Sequence, residues 1–126
     1  NRLRFIGHVL SNRMEVFYEH NTALISIPKA DILRFHIKTG DTEGLVNFGL
    51  GLKDIVLSVL IIDRTERVKM SFRSKGTFPA NEFAGKYFEG GGHRNAAGGQ
   101  STETLEETVA KFKASIQLYK KELQAI

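Results

Sequence analysis

Residues 88–99 read Phe-Glu-Gly-Gly-Gly-His-Arg-Asn-Ala-Ala-Gly-Gly, so glycine occupies five of the ten positions from Gly90 to Gly99. A glycine loses more backbone entropy on folding than any other residue and adds no buried side chain, so this run costs stability. The bare backbone can, however, adopt positive φ angles and approach another molecule closely, and successive N–H groups can surround an anion. The stretch therefore predicts a phosphate-binding loop at Gly90, Gly91 and Gly92.

His93 and Arg94 follow the three glycines and add hydrogen-bond donors, one with a switchable charge and one with a permanent charge. We expect Asn95-Ala96-Ala97 to form the first turn of a short helix, whose free N–H groups would strengthen the anion site. Residues 98–101 are expected to form a short edge strand. The alternative interpretation is a flexible turn beside a surface histidine, because a motif is a hypothesis until its context is known.

The composition indicates one domain, since 126 residues can bury a core without a disulfide or metal to hold it. The chain has no cysteine, which excludes a disulfide framework and a cysteine zinc site. Its longest largely apolar run, residues 55–62, has the length of a strand and is too short to span a membrane. There is no recognisable signal peptide, and we expect a cytoplasmic location and no membrane partner. The first residue is Asn1 rather than Met, which indicates a piece of a longer protein.

The net charge of +4 and the pI of about 9.5 favour a partner that carries phosphate, such as a nucleotide or a nucleic acid. Arg73 and Lys75 are two residues apart at the end of a predicted strand, so they share one side if the strand continues. On the residues alone, these two charges are ordinary solvated surface, because charged side chains are mostly exposed.

Hydrophobic periodicity predicts an α/β fold, with a mixed sheet of about five strands flanked by helices. Strand 54–65 is apolar throughout and should be central, and strand 67–73 alternates with period two. The predicted elements are a helix at 2–11, a hairpin of strands 14–19 and 22–27, a helix at 29–37, a loop at 39–44, a helical turn at 45–51, a hairpin of strands 54–65 and 67–73, and a helix at 78–88.

A last helix is predicted over residues 104–124. Thr104 and Glu107 have the spacing of a capping box. Apolar residues step by four and three along one face of it, at Leu105, Val109, Phe112, Ile116, Tyr119 and Leu123. We expect this stripe to pack on the sheet, and the alternative is that it pairs with the helix of a second copy.

Catalytic groups are missing from the local sequence patterns. The four histidines and four aspartates are scattered, so no local cluster predicts a site for a divalent cation. Residues 44–53 lack the Gly-Lys-Ser/Thr ending of a Walker A loop, and no nucleophile elbow is present. The chain therefore offers anion-binding groups without an evident nucleophile or metal site, and we expect it to bind rather than to catalyse on its own.

Three segments carry a family resemblance. Gly90-Gly91-Gly92-His93-Arg94-Asn95-Ala96-Ala97-Gly98 resembles the signature of the DHHA1 domain, the C-terminal domain of DHH-type phosphoesterases. Ser71-Phe72-Arg73-Ser74-Lys75 and Glu43-Gly44-Leu45-Val46-Asn47 resemble two further segments of that family and occur in the same order. The similarity covers nearly the whole chain, and within the family it is greatest to the oligoribonuclease and pAp-phosphatase branch, which is often named exopolyphosphatase-related.

The resemblance implies a two-domain hydrolase that depends on manganese. Its N-terminal DHH domain, which is absent from this chain, would hold two Mn²⁺ ions through aspartates and histidines. Residues 1–12 would then be the end of an interdomain linker helix, and residues 13–126 the DHHA1 substrate-binding domain. The resemblance places no metal, cofactor or catalytic residue in this domain.

The resemblance also implies roles for particular residues. Gly90, Gly91, Gly92 and His93 would line the substrate site, with His93 reaching the phosphate that faces the metal ions and Arg94 beside it. Arg73 would hold another phosphate or the terminal nucleotide, with Ser74 and Lys75 nearby. The implied ligands are short RNA or DNA oligonucleotides (nano-RNA) and 3'-phosphoadenosine 5'-phosphate (pAp).

Three alternatives remain open on the sequence. The substrate of the parent enzyme could be a cyclic dinucleotide or polyphosphate. The chain could be an RNA-binding module without a catalytic partner, since related C-terminal domains occur in alanyl-tRNA synthetases. It could also be an assembly domain that forms a homodimer through its last helix.

Overall fold

A six-stranded mixed sheet with helices on both faces forms the framework of the computed structural model, which describes residues 2–125. The predicted linker segment 1–12 begins at Asn1 and the predicted domain 13–126 ends at Ile126, and these two terminal residues lie outside the described residues. The strand order is β1-β2-β3-β4-β6-β5, in which β2 and β3 are parallel and all other neighbours are antiparallel. The strands are β1 (Met14–Phe17), β2 (Thr22–Ile27), β3 (Leu57–Asp63), β4 (Val68–Ser74), β5 (Gly91–His93) and β6 (Ala96–Ser101).

The helices follow the predicted order; the first is one residue longer than predicted, and the later ones are shorter. They are α1 (Arg2–Asn12), α2 (Lys29–Arg34), α3 (Leu45–Leu50), α4 (Ala80–Tyr87), α5 (Leu105–Gln117) and α6 (Lys120–Gln124), with short 3-10 helices at Tyr18–His20 and Thr39–Thr42. The helix predicted at 29–37 ends early because His36 has a φ of 53°, and the N–H of Ile37 donates back to the carbonyl of Ile32 at 3.0 Å. That left-handed residue and back-bond stop the helix.

The two faces of the sheet are covered unequally. Val68, Met70 and Phe72 of β4 are buried on one face, where α4 and α5 pack, so the predicted period of two is confirmed. The opposite face carries α1 over β1 and β2 and α3 over β2, β3 and one end of β4, with Phe5 and Val9 of α1 in that core. The helices leave the far part of this face, over β4, β6 and β5, partly open to solvent.

The prediction of a short helix beginning at Asn95 is wrong. Residues 91–93 and 96–101 form a hairpin, whose two-residue turn is Arg94 and Asn95. Ala97 is 6% exposed and lies opposite Phe72, so this small residue packs against the core as part of a strand. The glycine loop therefore supplies two strands where one was predicted, and the sheet has six strands instead of about five.

The last predicted helix is broken near Tyr119, where α5 ends and α6 begins. The Tyr119 ring packs edge-on against Phe78 and Phe83, and this contact accompanies the change of direction. The predicted capping box is present: the N–H of Glu107 donates to Thr104 Oγ1 at 3.0 Å, and the N–H of Thr104 donates to Glu107 Oε1 at 3.1 Å. Phe112 and Ile116 are buried in the core, so the prediction that the apolar stripe packs on the sheet is confirmed.

A buried aspartate joins α1 to α2. Asp31, which is 3% exposed, accepts hydrogen bonds from Arg13 Nε at 2.6 Å and Arg13 Nη2 at 2.9 Å, and its Oδ2 lies 3.0 Å from His8 Nε2. Residues 2–12, predicted as the end of a linker helix, thus contribute to the core of this domain, and their connection to another domain stays a prediction. Within residues 2–125, no helix is long and apolar enough to cross a membrane.

Candidate functional site

Arg73 and His93 lie opposite the same residue of β6. The register of β4 with β6 pairs Arg73 with Ala96, and the register of β5 with β6 pairs His93 with Ala96. Directly opposite residues project from the same face of a sheet, and two strand spacings separate these two by about 10 Å between Cα atoms. The sheet therefore presents a guanidinium and an imidazole side by side on its open face.

The backbone of neighbouring strands positions the Arg73 side chain. Its Nη1 donates to the carbonyl of Phe72 at 2.9 Å and to that of Ala97 at 3.4 Å, and the residue is half-buried. A guanidinium has five N–H donors, so these contacts orient it, and within residues 2–125 its other nitrogens make no hydrogen bond and can bind a ligand. His93 is exposed on the edge strand, and its imidazole makes no hydrogen bond among the described residues.

The glycine run forms the sheet edge rather than a closed loop around an anion. The N–H of Ser74 donates to the carbonyl of Asn95, so the N–H and carbonyl of Ala96 point toward β5 and bond to His93. By the alternation of an antiparallel pair, the N–H of Gly92 points outward from the edge. The N–H of Gly90 donates to the carbonyl of Ala84 at 3.1 Å and Gly91 pairs with Gly98, so among these three glycines of the described chain only Gly92 has an N–H open to a ligand.

The close packing around this hairpin requires glycine at three positions, Gly90, Gly92 and Gly99. Gly92 has a φ of 141°, and a Cβ atom there would lie 2.8 Å from the carbonyl oxygen of Ala96. A Cβ atom at Gly90 would overlap the carbonyl oxygen of Gly98. Part of the glycine signal therefore reflects strand packing.

Ser74 holds the hairpin in place from inside the protein. It projects from the opposite face of β4 to Arg73 and is 5% exposed. Its hydroxyl donates to the carbonyl of Phe78 at 2.8 Å and accepts from Asn95 Nδ2 at 3.0 Å. The geometry gives Ser74 a positioning role, and the phosphate contact that was predicted for it stays a prediction without geometric support.

Lys75 and Arg94 lie outside the paired row that contains Arg73, Ala96 and His93. Lys75 follows the end of β4 and borders a separate cavity of about 280 Å³ with Asn21 and Asp54. Arg94 is exposed in the hairpin turn, and its carbonyl accepts from the N–H of Ala80 at 2.7 Å. Lys75 thus follows the strand that carries Arg73 and lines a different cavity, and the phosphate contacts expected of Lys75 and Arg94 stay predictions.

A cavity of about 580 Å³ lies on the same open face, next to the row that contains Arg73 and His93. It brings together the three segments that carry the family resemblance, since Glu43, Ser71 and Gly98 each come from one of them. The other lining residues are Thr39, Thr42, Leu60, Ile62, Arg64, Lys69, Met70, Glu89, Gly90, Gly99 and Gln100.

Six polar lining residues were not predicted as site residues from the sequence: Thr39, Thr42, Arg64, Lys69, Glu89 and Gln100. Lys69 was detectable, because its spacing of four from Arg73 places both on one face of a strand. Arg64 and Thr42 gave no local signal, since the hydrogen bond from Arg64 Nη2 to Thr42 Oγ1 at 2.9 Å joins residues far apart in sequence. Among residues 2–125, no group of three or more His, Cys, Asp or Glu side chains converges as a metal site would require.

A family model described as the DHHA1 domain matches residues 24–122. The chain belongs to the DHHA1 domain family. No curated protein sequence matches the chain significantly. Among solved structures, an exopolyphosphatase-related protein from Bacteroides fragilis is 44% identical, with a TM-score of 0.93 over 98% of this chain. This DHHA1 domain spans 36% of the length of that protein.

Two more distant structures share the fold. The pGpG-specific phosphodiesterase PggH from Vibrio cholerae is 14% identical, with a TM-score of 0.63, and the match covers 98% of this chain and 39% of PggH. RecJ from Thermus thermophilus, solved with Mn²⁺, is 18% identical, with a TM-score of 0.61, and the match covers 96% of this chain and 16% of RecJ. At these identities the likeness concerns the DHHA1 fold alone.

Proposed function

We propose that this DHHA1 domain binds the phosphate of a short oligonucleotide or of pAp for a phosphoesterase of the DHH class. The observation that carries the proposal is the shared row on the open face, where Arg73 and His93 lie on either side of Ala96. Charge-assisted hydrogen bonds from a guanidinium are among the strongest that a phosphate can accept. The adjoining cavity, which is lined by all three family segments, gives the rest of such a ligand a place.

The domain positions the substrate, and a separate DHH domain hydrolyses it. The described residues do not fit a Mn²⁺ site, because no three carboxylate or imidazole side chains converge. Under this proposal the metal ions belong to the DHH domain. The open face of the sheet covers the cleft between that domain and this DHHA1 domain. Orienting the phosphate is a large part of catalysis in phosphoryl transfer, where positioning and charge stabilisation do most of the work.

A ligand panel tests this proposal by calorimetry with the 126-residue chain. The probes are pAp, a linear dinucleotide with a 5'-phosphate, a cyclic dinucleotide and inorganic tripolyphosphate. We expect the first two to bind more tightly than the others, and the affinity to fall with added salt because the contact is ionic. Tighter binding of tripolyphosphate or of the cyclic ligand would replace the proposal with one of the alternative substrates.

A further inference from the structure

We propose that the cavity next to Arg73 is a nucleoside subsite, in which a base lies flat on the sheet at Ser71, Gly98 and Gly91. This inference rests on the proposed function, because it takes a phosphate at Arg73 and His93 as given. Ser71 and Gly98 are cross-strand partners, and Gly98 and Gly91 are the next pair, so the three form one row on the open face.

The first argument is that two of the glycines are not needed by the fold. A Cβ atom at Gly99 would lie 2.9 Å from the carbonyl oxygen of Phe88, so that glycine is required by packing. In contrast, a Cβ atom at Gly91 would meet nothing within 4 Å, and one at Gly98 would make an ordinary contact of 3.6 Å with the carbonyl oxygen of Met70. Glycine weakens a strand interior, and one common reason for a glycine there is the close approach of a ligand.

The second argument is the position of the row formed by Ser71, Gly98 and Gly91, called the bare row because two of its three residues are glycines. Ser71 precedes Arg73 by two residues on β4, so the row lies about 7 Å along the strand from the row of Arg73 and His93. A nucleoside bonded to a phosphate at Arg73 is therefore long enough for its base to lie over the bare row. The cavity of about 580 Å³ opens above this row, which is within the range of roughly 300–1,000 Å³ found for small-ligand sites.

The third argument is the balance of charge around the cavity. Its lining contains two cationic side chains, Arg64 and Lys69, and two carboxylates, Glu43 and Glu89. The two carboxylates would oppose a second phosphate there, whereas a neutral base offers hydrogen-bond donors and acceptors to both kinds of group. The row of Arg73 and His93 therefore suits a phosphate, and the row beneath the cavity suits a neutral base.

The fourth argument is the pattern of contacts that a flat ring would find. Gln100 Oε1 accepts from Arg67 Nη1 at 2.6 Å, which orients the Gln100 amide with its NH₂ group available to donate. Leu60 and Ile62 also line the cavity and give the ring apolar contact. Ligand sites commonly combine such apolar walls with a few oriented polar groups.

The test compares two probes, adenosine 5'-monophosphate and inorganic pyrophosphate, by calorimetry with the 126-residue chain. The variant Gly98→Val places a branched side chain on the floor of the cavity, and the matched control Gly7→Val lies in α1 with nothing within 4 Å of its Cβ position. We expect Gly98→Val to weaken binding of the nucleotide by about tenfold or more and to leave pyrophosphate binding within about twofold. An unchanged nucleotide affinity, or an equal loss for both probes, overturns the subsite.

Two further measurements keep the outcome clear. In the unmodified chain, adenosine 5'-monophosphate should shift the amide NMR signals of Ser71, Gly98 and Gln100, whereas pyrophosphate should not. The absence of these nucleotide-specific shifts overturns the subsite even where Gly98→Val does not fold. Failure of both probes to bind, or an Arg73→Ala variant with unchanged affinity for both, contradicts the proposed function itself, and the subsite falls with it.

Discussion

The side-chain amide of Asn95 donates a hydrogen bond to the buried hydroxyl of Ser74 across 3.0 Å. The same amide nitrogen lies 3.2 Å from the carbonyl oxygen of Gly76. Asn95 stands in the turn between β5 and β6, and Ser74 is the last residue of β4, so this bond fixes the tip of the hairpin to the strand that carries Arg73. The distance between Arg73 and His93 therefore depends on a residue pair that lies outside the row these two residues share.

Removing the Ser74 hydroxyl should destabilise the domain. We expect Ser74→Ala to lower the free energy of unfolding by about 1–3 kcal/mol, because it leaves buried hydrogen-bonding groups without a partner. Urea unfolding measures this change, and Ser71→Ala on the half-buried opposite face of the same strand is the matched control. If the Asn95→Ala and Ser74→Ala effects simply add in the double variant, the two side chains are not coupled and this account of the hairpin is wrong.

Substitutions of adjacent glycines should change stability in opposite directions. Gly92→Ala should lower the free energy of unfolding by about 1–3 kcal/mol, because the residue has a φ of 141° and its Cβ atom would crowd Ala96 and Ala97. Gly91→Ala should raise it by about 0.5–1 kcal/mol, since alanine restricts the unfolded chain and meets nothing in the folded one. Denaturant midpoints of the two variants provide the comparison, and equal effects would refute the steric distinction between these positions.

Acid should weaken the contact between α1 and α2. Burial alone would raise the pKa of Asp31, but the hydrogen bonds from Arg13 and His8 outweigh it and hold that pKa below its ordinary value of 3.8. Because the folded-state pKa is lowered, this stabilisation is fully present above the ordinary carboxyl pKa and is lost as the pH falls through the folded-state pKa.

The measurement for Asp31 is the urea midpoint between about pH 2 and pH 6. Asp31→Asn should be less stable near neutral pH and should lose part of the acid dependence seen in the unmodified chain. Asp54→Asn removes an exposed aspartate elsewhere and serves as the control. A stability profile with the same acid slope in Asp31→Asn would show that the ion pair with Arg13 does not contribute.

Much of the framework was predictable from local patterns. The alternation in β4 and the capping box at Thr104 determine the face and the start of their elements from neighbouring residues alone. The β5–β6 hairpin was not predictable in this way, because glycine and alanine carry little strand preference. What makes a strand of residues 96–101 is the pairing of Ala97 with Phe72 and the burial of both, which are contacts distant in sequence.

In the candidate site, too, some features follow from neighbouring residues and others depend on contacts distant in sequence. The spacing that relates Arg73 to the open face is local, and the inward direction of Ser74 follows from the same alternation. The shared pairing of Arg73 and His93 with Ala96 depends on the registers of two separate strand pairs, and the cavity depends on the approach of Thr42 to Arg64. Neither relation has a signature in the sequence.

The central claim, that Arg73 and His93 together hold a phosphate, is tested most directly by the affinity of the chain for pAp measured by calorimetry. Arg73→Ala should weaken binding by about tenfold to a hundredfold, as expected for a lost hydrogen bond to a charged group. His93→Ala should weaken it to a smaller extent, and Lys121→Ala, which removes an exposed charge from α6, should leave it unchanged. Equal affinities for the unmodified chain, Arg73→Ala and His93→Ala would contradict the account.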